Sequence, residues 1–269
     1  MTTFKPYTYN FWDDPFLSSA GLEFGGVFIA FHPFQRLTPS CDSLVWWPGE
    51  EFFDKTATDP AMRDAWSYEK AFGTDVLWAD VASAAGMTGP AEIAIAYLTH
   101  YKKLKPEWLA PASLQKLKTW CEYSNTYLPE WDNLPPTFEM RLAKIFGALG
   151  MDHYVGGHVW NGRWAAYPVT DLAEPRKSIR GATDFADSNC LFSPNHQVVF
   201  TTIIDDMFSI IAIKPEAMAI VDLADFFEGF WANDVTSPMW IHEPLEHCGP
   251  VSRPKWMVRH GKLVYQPRS

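Results

Sequence analysis

Tyr154-Val155-Gly156-Gly157-His158-Val159-Trp160 and Arg163-Trp164-Ala165-Ala166-Tyr167-Pro168-Val169 stand on either side of Asn161-Gly162. A tight primed turn matches the right-handed twist of the strands it joins, and it needs two residues that tolerate positive φ between β-forming flanks. Residues 154–169 therefore read as a β-hairpin. Gln197 to Ile204 and Met207 to Lys214 repeat the arrangement around Asp205-Asp206, with Val199, Thr201 and Ile203 in alternation. Trp256 to Val258 and Leu263 to Tyr265 do so again around His260-Gly261. Pro215 to Trp231, between the second and third hairpins, reads as one or two short helices.

Working back from Gly150, the period changes from two to that of helices. Asp59-Pro60 offers an N-cap followed by Pro at the first helical position, opening a segment to about Ala71. Thr74 caps a second, stopped by Gly86, and Thr88-Gly89-Pro90 opens a third in which Ile93, Tyr97 and Tyr101 recur on one face. Pro111 to Asn125 and Thr137 to Leu149 follow, the last capped by Thr137 and ended by Gly150. Ahead of them all, Phe24-Gly25-Gly26-Val27-Phe28-Ile29-Ala30-Phe31 is a buried strand closed by Pro33. The expectation is an α+β fold in which a helical lobe, about 58–150, packs with a mainly antiparallel sheet lobe, about 151–269. With no repeat and no Gly/Ser linker, residues 1–269 form one compact domain with sub-lobes 1–150 and 151–269.

Aromatic residues make up 16% of the chain, including 13 Trp and 19 Phe, enough apolar area for a sizeable core. The longest apolar runs, such as Val27 to Phe31, fall far short of the roughly 20 residues that span a bilayer. Met1 to Pro6 lacks the basic patch and apolar stretch of a secretion signal, so a cytoplasmic location is expected. Cys41, Cys121, Cys190 and Cys248 are far apart and read as reduced thiols.

Charge placement says more than the net value of −10. Between Ala182 and Pro250 stand eleven acids against Lys214 alone, whereas the tail from Val251 carries five bases and no acid. Nucleic acid and membrane surfaces are therefore poor partners, and a basic protein is the expected one. Phe185, Phe192, Phe208, Phe226, Phe227, Phe230, Trp231 and Trp240 share that acidic block and supply candidate anchors. On a helix at 222–231, Asp222, Asp225 and Glu228 would share a stripe. The candidate partner-binding residues are Asp205, Asp206, Asp222, Asp225, Glu228, Trp231 and Asp234.

Groups that could carry chemistry are few. Ile241 to Cys248 holds His242, Glu243, Glu246, His247 and Cys248, and His242, Glu246 and His247 form the alternative metal site. A zinc-protease helix needs its two His at i and i+4, whereas here they are five apart and Pro244 interrupts the helix, so a polar loop is the reading preferred. His153 and His158, an odd number apart in a strand, fall on opposite faces. His32-Pro33 reads as structural. Cys190 and His196 bracket a short loop, but a nucleophilic Cys needs a lowered pKa, and the acidic surroundings raise it. Asp205-Asp206 reads as turn residues. No GxGxxG, GxxxxGK[ST], GxSxG or EF-hand loop is present, so no cofactor is expected.

In its acidity, its aromatic richness and its lack of catalytic motifs, over general composition and the C-terminal 120 residues, the chain resembles bacterial immunity proteins that neutralise a cognate toxin. The resemblance implies a protein-binding module that inhibits a basic toxin or effector domain by plugging its active site. The alternative is a metal- or cysteine-dependent enzyme. The sequence carries no signal for an oligomeric state.

Overall fold

The computed structural model describes residues 24–37, 66–67, 69–101, 104, 106–129, 133–158, 163–179, 190–202, 207–232, 236, 255–259 and 262–266. Strand β1, Gly26–Phe31, is buried at all six positions. Alternation sends Val27, Ile29 and Phe31 into one core cluster and Phe28 and Ala30 into another. Two buried faces explain why the run is continuously apolar rather than amphipathic.

Around β1 lies a seven-stranded sheet in the order β10-β1-β9-β8-β7-β5-β6. Its members are β5 (His153–His158), β6 (Arg163–Pro168), β7 (Cys190–Phe192), β8 (Val198–Thr202), β9 (Phe208–Ile213) and β10 (Gly229–Trp231). All its pairings are antiparallel. On the Val27 side pack α1 (Trp78–Ala85), α2 (Pro90–His100) and α3 (Pro111–Ser124). On the Phe28 side pack α4 (Pro136–Ala148), α5 (Val169–Ala173) and α6 (Pro215–Met218). Each large side chain fully buried against this sheet contributes about 1.5–3 kcal/mol. The architecture is α+β, helices packed with a mainly antiparallel sheet, and that sheet also takes in β1 from the N-terminal part of the chain. A smaller sheet joins β2 (Phe34–Leu37) to β3 (Gly73–Val76) and β4 (Thr126–Tyr127), and β11 (Lys255–Arg259) pairs with β12 (Lys262–Gln266) alone.

Helix stops follow the expected chemistry. Gly86 and Asn125 adopt left-handed conformations, φ 66° and 49°, as the C-caps of α1 and α3, and Gly150 does so just beyond α4. Helix starts follow it less well. Thr74 is not a cap: it lies in β3, opposite Arg36. Thr137 is not the cap of α4 either, because Pro136 already occupies the first turn, and the Thr137 hydroxyl instead accepts a hydrogen bond from Gln35 Nε2 at 3.2 Å. The Asp59-Pro60 helix start lies outside the described residues, although 66–67 and 69–72 are helical.

All three hairpins are present. In the second, Val198 faces Ile213 and Thr202 faces Ser209, which centres the register on residues 205 and 206. In the first, Arg163 faces His158, whereas a two-residue turn on Asn161-Gly162 would set it against Trp160. The shift is by two residues, which leaves every side chain on its expected face, so burial does not choose between the registers. The connections at 159–162 and 203–206 lie outside the described residues.

Residues 215–231 depart from the helical reading. A four-residue helix, α6, is followed by a 3₁₀ turn at Leu223–Asp225 and then by strand β10. Gly229 makes that last step possible, because a Cβ there would collide with the carbonyl oxygen of Ile29 across the pair.

Candidate protein-interaction surface

The turn from Asp222 to Glu228 leaves the core at Leu223 and re-enters it at Phe227, both buried. Asp222 caps the 3₁₀ turn, its carboxylate accepting from Ala224 N at 3.2 Å. Asp225 is exposed. The Phe226 carbonyl accepts from Arg141 Nη1 at 3.0 Å, and Phe227 meets Phe138 of α4 edge-on, with centroids 4.7 Å apart. Just upstream, Glu216 is exposed and Ile220 keeps 61% of its surface in solvent. This exposed aliphatic side chain, four residues after Glu216 and two before Asp222, is the apolar element that the helical reading of 215–231 conceals.

Glu228 has a different part. Its carboxylate reaches back 150 residues in sequence to the start of α1, accepting from Trp78 N at 2.6 Å and Ala79 N at 2.9 Å. Leu77 is the N-cap residue of α1 and has no side-chain acceptor, so the first amides would be orphaned without it. Burial pushes the Glu228 carboxyl above its ordinary value and nearby Asp80 adds to this, against the pull of the two amides. Leu77 itself is 43% exposed beside this contact.

The aromatic anchors expected in the acidic block are core residues wherever they are described. Phe192, Phe208, Phe227, Phe230 and Trp231 are buried, and Phe226 partly so. Trp231 packs edge-on against Phe28 at 5.2 Å and offers no surface to a partner. The physical reason is that Phe192, Phe208, Phe230 and Trp231 sit in strands covered on both sides, while Asp222 and Asp225 sit in a turn. Asp205, Asp206, Asp234, Phe185, Trp240 and the His242, Glu246, His247 cluster lie outside the described residues. The helix stripe of Asp222, Asp225 and Glu228 does not form, since no helix runs through them.

Several polar groups of the interior are engaged with one another. Lys70 Nζ lies 2.7 Å from Glu139 Oε2 and donates to the Lys177 carbonyl at 2.9 Å. Ser178 Oγ and Ile179 N donate to the same carboxylate. Burial pushes the Glu139 carboxyl up, and the Lys70 charge with these donors draws it back. Arg141 pairs with Asp75, to which Gln35 Nε2 also donates. His32 Nε2 is 2.7 Å from Ser209 Oγ, and both residues are wholly buried, so the pair is closed to any substrate in this conformation. Nothing in the local sequence signals these long-range pairs.

The Cys190 thiol is buried, and burial pushes its pKa up to about 12, which leaves almost no thiolate near neutrality. His196 stacks on Phe192 at 4.9 Å. His153 is exposed and pairs with the neighbouring Asp152. Among the described residues no group of three or more His, Cys, Asp or Glu could hold a metal ion, and no helix is long and apolar enough to cross a membrane.

Sheet, helical layers and acidic turn together define an α+β protein with a seven-stranded antiparallel sheet between two layers of helices. Residues 13–242 match the family model described as protein of unknown function (DUF2711), and the chain belongs to that family. No curated protein and no solved structure matches it. The family match stops short of the basic β11–β12 hairpin.

Proposed function

We propose that the chain is a protein-binding module of the immunity kind, which sits in the cytoplasm and blocks a basic toxin or effector domain. The observation that carries this reading is the segment from α6 to the 3₁₀ turn, where Glu216, Asp222 and Asp225 flank exposed Ile220 in sequence and Lys214 is the one base between Ala182 and Pro250. Carboxylates of one sign steer a cationic partner toward the turn, and an exposed aliphatic group gives it something to desolvate on arrival. Charge alone sets the rate of encounter; affinity needs the apolar contact.

The test is capture from the source cells on immobilised chain, then reconstitution with the captured protein in pure form. A cationic partner should bind stoichiometrically and lose its activity in the complex. The double variant Asp222→Lys, Asp225→Lys should slow association about tenfold at low salt and flatten its salt dependence. Association unchanged in that variant would remove the charge argument.

A further inference from the structure

We infer that Glu228 is a positioning residue: by closing on the first turn of α1 it holds the Asp222–Phe227 turn in the shape that presents Asp222 and Asp225, rather than meeting a partner itself. This rests on the proposed interface for its purpose but not for its geometry. The turn is fastened at three places. Leu223 is sunk in the core, Arg141 holds the Phe226 carbonyl, and Glu228 closes the far end. The last fastening is double, since the Glu228 main-chain carbonyl accepts from Phe31 N at 2.9 Å while its carboxylate takes the Trp78 and Ala79 amides. Among the described residues the carboxylate is therefore the one side-chain cap at the start of α1, and Leu77 cannot replace it. Helix start and acidic turn are two ends of one contact.

Geometry rather than charge should be what matters, because Asp80 on α1 and Asp225 on the turn already supply negative charge to the same region. The neutral near-isostere tests this, because it removes the charge while keeping one of the two acceptors. In full-length chains, amide exchange would be followed by NMR at Trp78 and Ala79, at Phe226 and Phe227, and at β8 and β9 as reference. Glu228→Ala should speed exchange about tenfold at both ends of the contact, the equivalent of one lost charge-assisted hydrogen bond, and leave β8 and β9 unchanged. Glu228→Gln keeps one acceptor oxygen but sets an NH2 donor against the other amide, so it should hold protection at one of Trp78 and Ala79 and lose it at the other. A hexa-arginine peptide at low salt serves as cationic probe: its shift footprint on Asp222 and Asp225 should weaken clearly less in the Gln variant, which keeps half of the contact, than in the Ala variant.

Exchange unchanged in Glu228→Ala, or lost equally in β8 and β9, overturns the inference. So does a footprint that fades as much in the Gln variant as in the Ala variant, because charge would then be the operative property. If the clamp behaves as described while Asp222→Lys, Asp225→Lys leaves capture intact, the interface reading fails and the clamp stands.

Discussion

Lys70 Nζ and Glu139 Oε2 lie 2.7 Å apart with neither side chain reaching solvent. The pair fastens the helical segment around Lys70 to α4, and through Ser178 and Ile179 to the chain beyond α5. Removing one partner leaves a buried charge uncompensated. Lys70→Met should cost about 3–5 kcal/mol in urea unfolding, and Glu139→Leu added to it should recover part of that loss, because the buried charge is gone while Ser178 Oγ, Ile179 N and the Lys177 carbonyl lose their partners. Costs that simply add would mean that the two ions do not depend on each other.

Gly229 faces Ala30 where β10 meets β1. A methyl group there would strike the Ile29 carbonyl, and backbone cannot swing aside as a flexible side chain does. Gly229→Ala should lower stability by about 2–3 kcal/mol and broaden the Trp231 indole resonance as its packing on Phe28 loosens. A variant as stable as the parent would show that β10 is dispensable to the sheet.

Burial holds the Cys121 thiol at about 12, as it does Cys190. Iodoacetamide at pH 8, followed by peptide mass mapping, should leave both unmodified in the native chain and label both in denaturant. Rapid native labelling at Cys190 would restore the reading in which it acts as a nucleophile with His196.

Glu228 has an ordinary value of 4.5 that burial raises in the folded chain. The folded state then binds the proton more tightly than the unfolded state. Its contribution to stability is full below 4.5 and declines as pH rises through the folded value. Urea midpoints measured across that window should show the parent chain losing ground to Glu228→Gln as pH increases. A constant difference between the two would mean that the carboxylate is as well solvated folded as unfolded.

What could be read from residues alone was whatever is encoded within a few positions. Gly86, Asn125 and Gly150 stop helices because left-handed backbone suits them. The pairs Asp205-Asp206 and His260-Gly261 mark the centres of their hairpins. Contacts closed over long separations were not legible. Nothing near Leu77 announces that its helix is capped by Glu228, and nothing near Lys70 announces Glu139. The aromatic residues of the acidic block read as surface anchors because charge and aromaticity coincide there in sequence. Among the described residues the two part company, since strands buried on both faces take up Phe192, Phe208, Phe230 and Trp231 while Asp222 and Asp225 stay in a turn.

The placement of β1 between β9 and β10 also governs how the chain must come into being. Its hydrogen-bonding partners are made some 180 to 200 residues after it. During synthesis the apolar run Val27–Phe31 has no strand to join until the last third of the protein has left the ribosome. Closing a pair across so long a separation is slow, in milliseconds to seconds rather than microseconds. For all that time the nascent protein exposes an apolar segment built to be buried on both faces, the kind of surface that invites aggregation until its partners arrive.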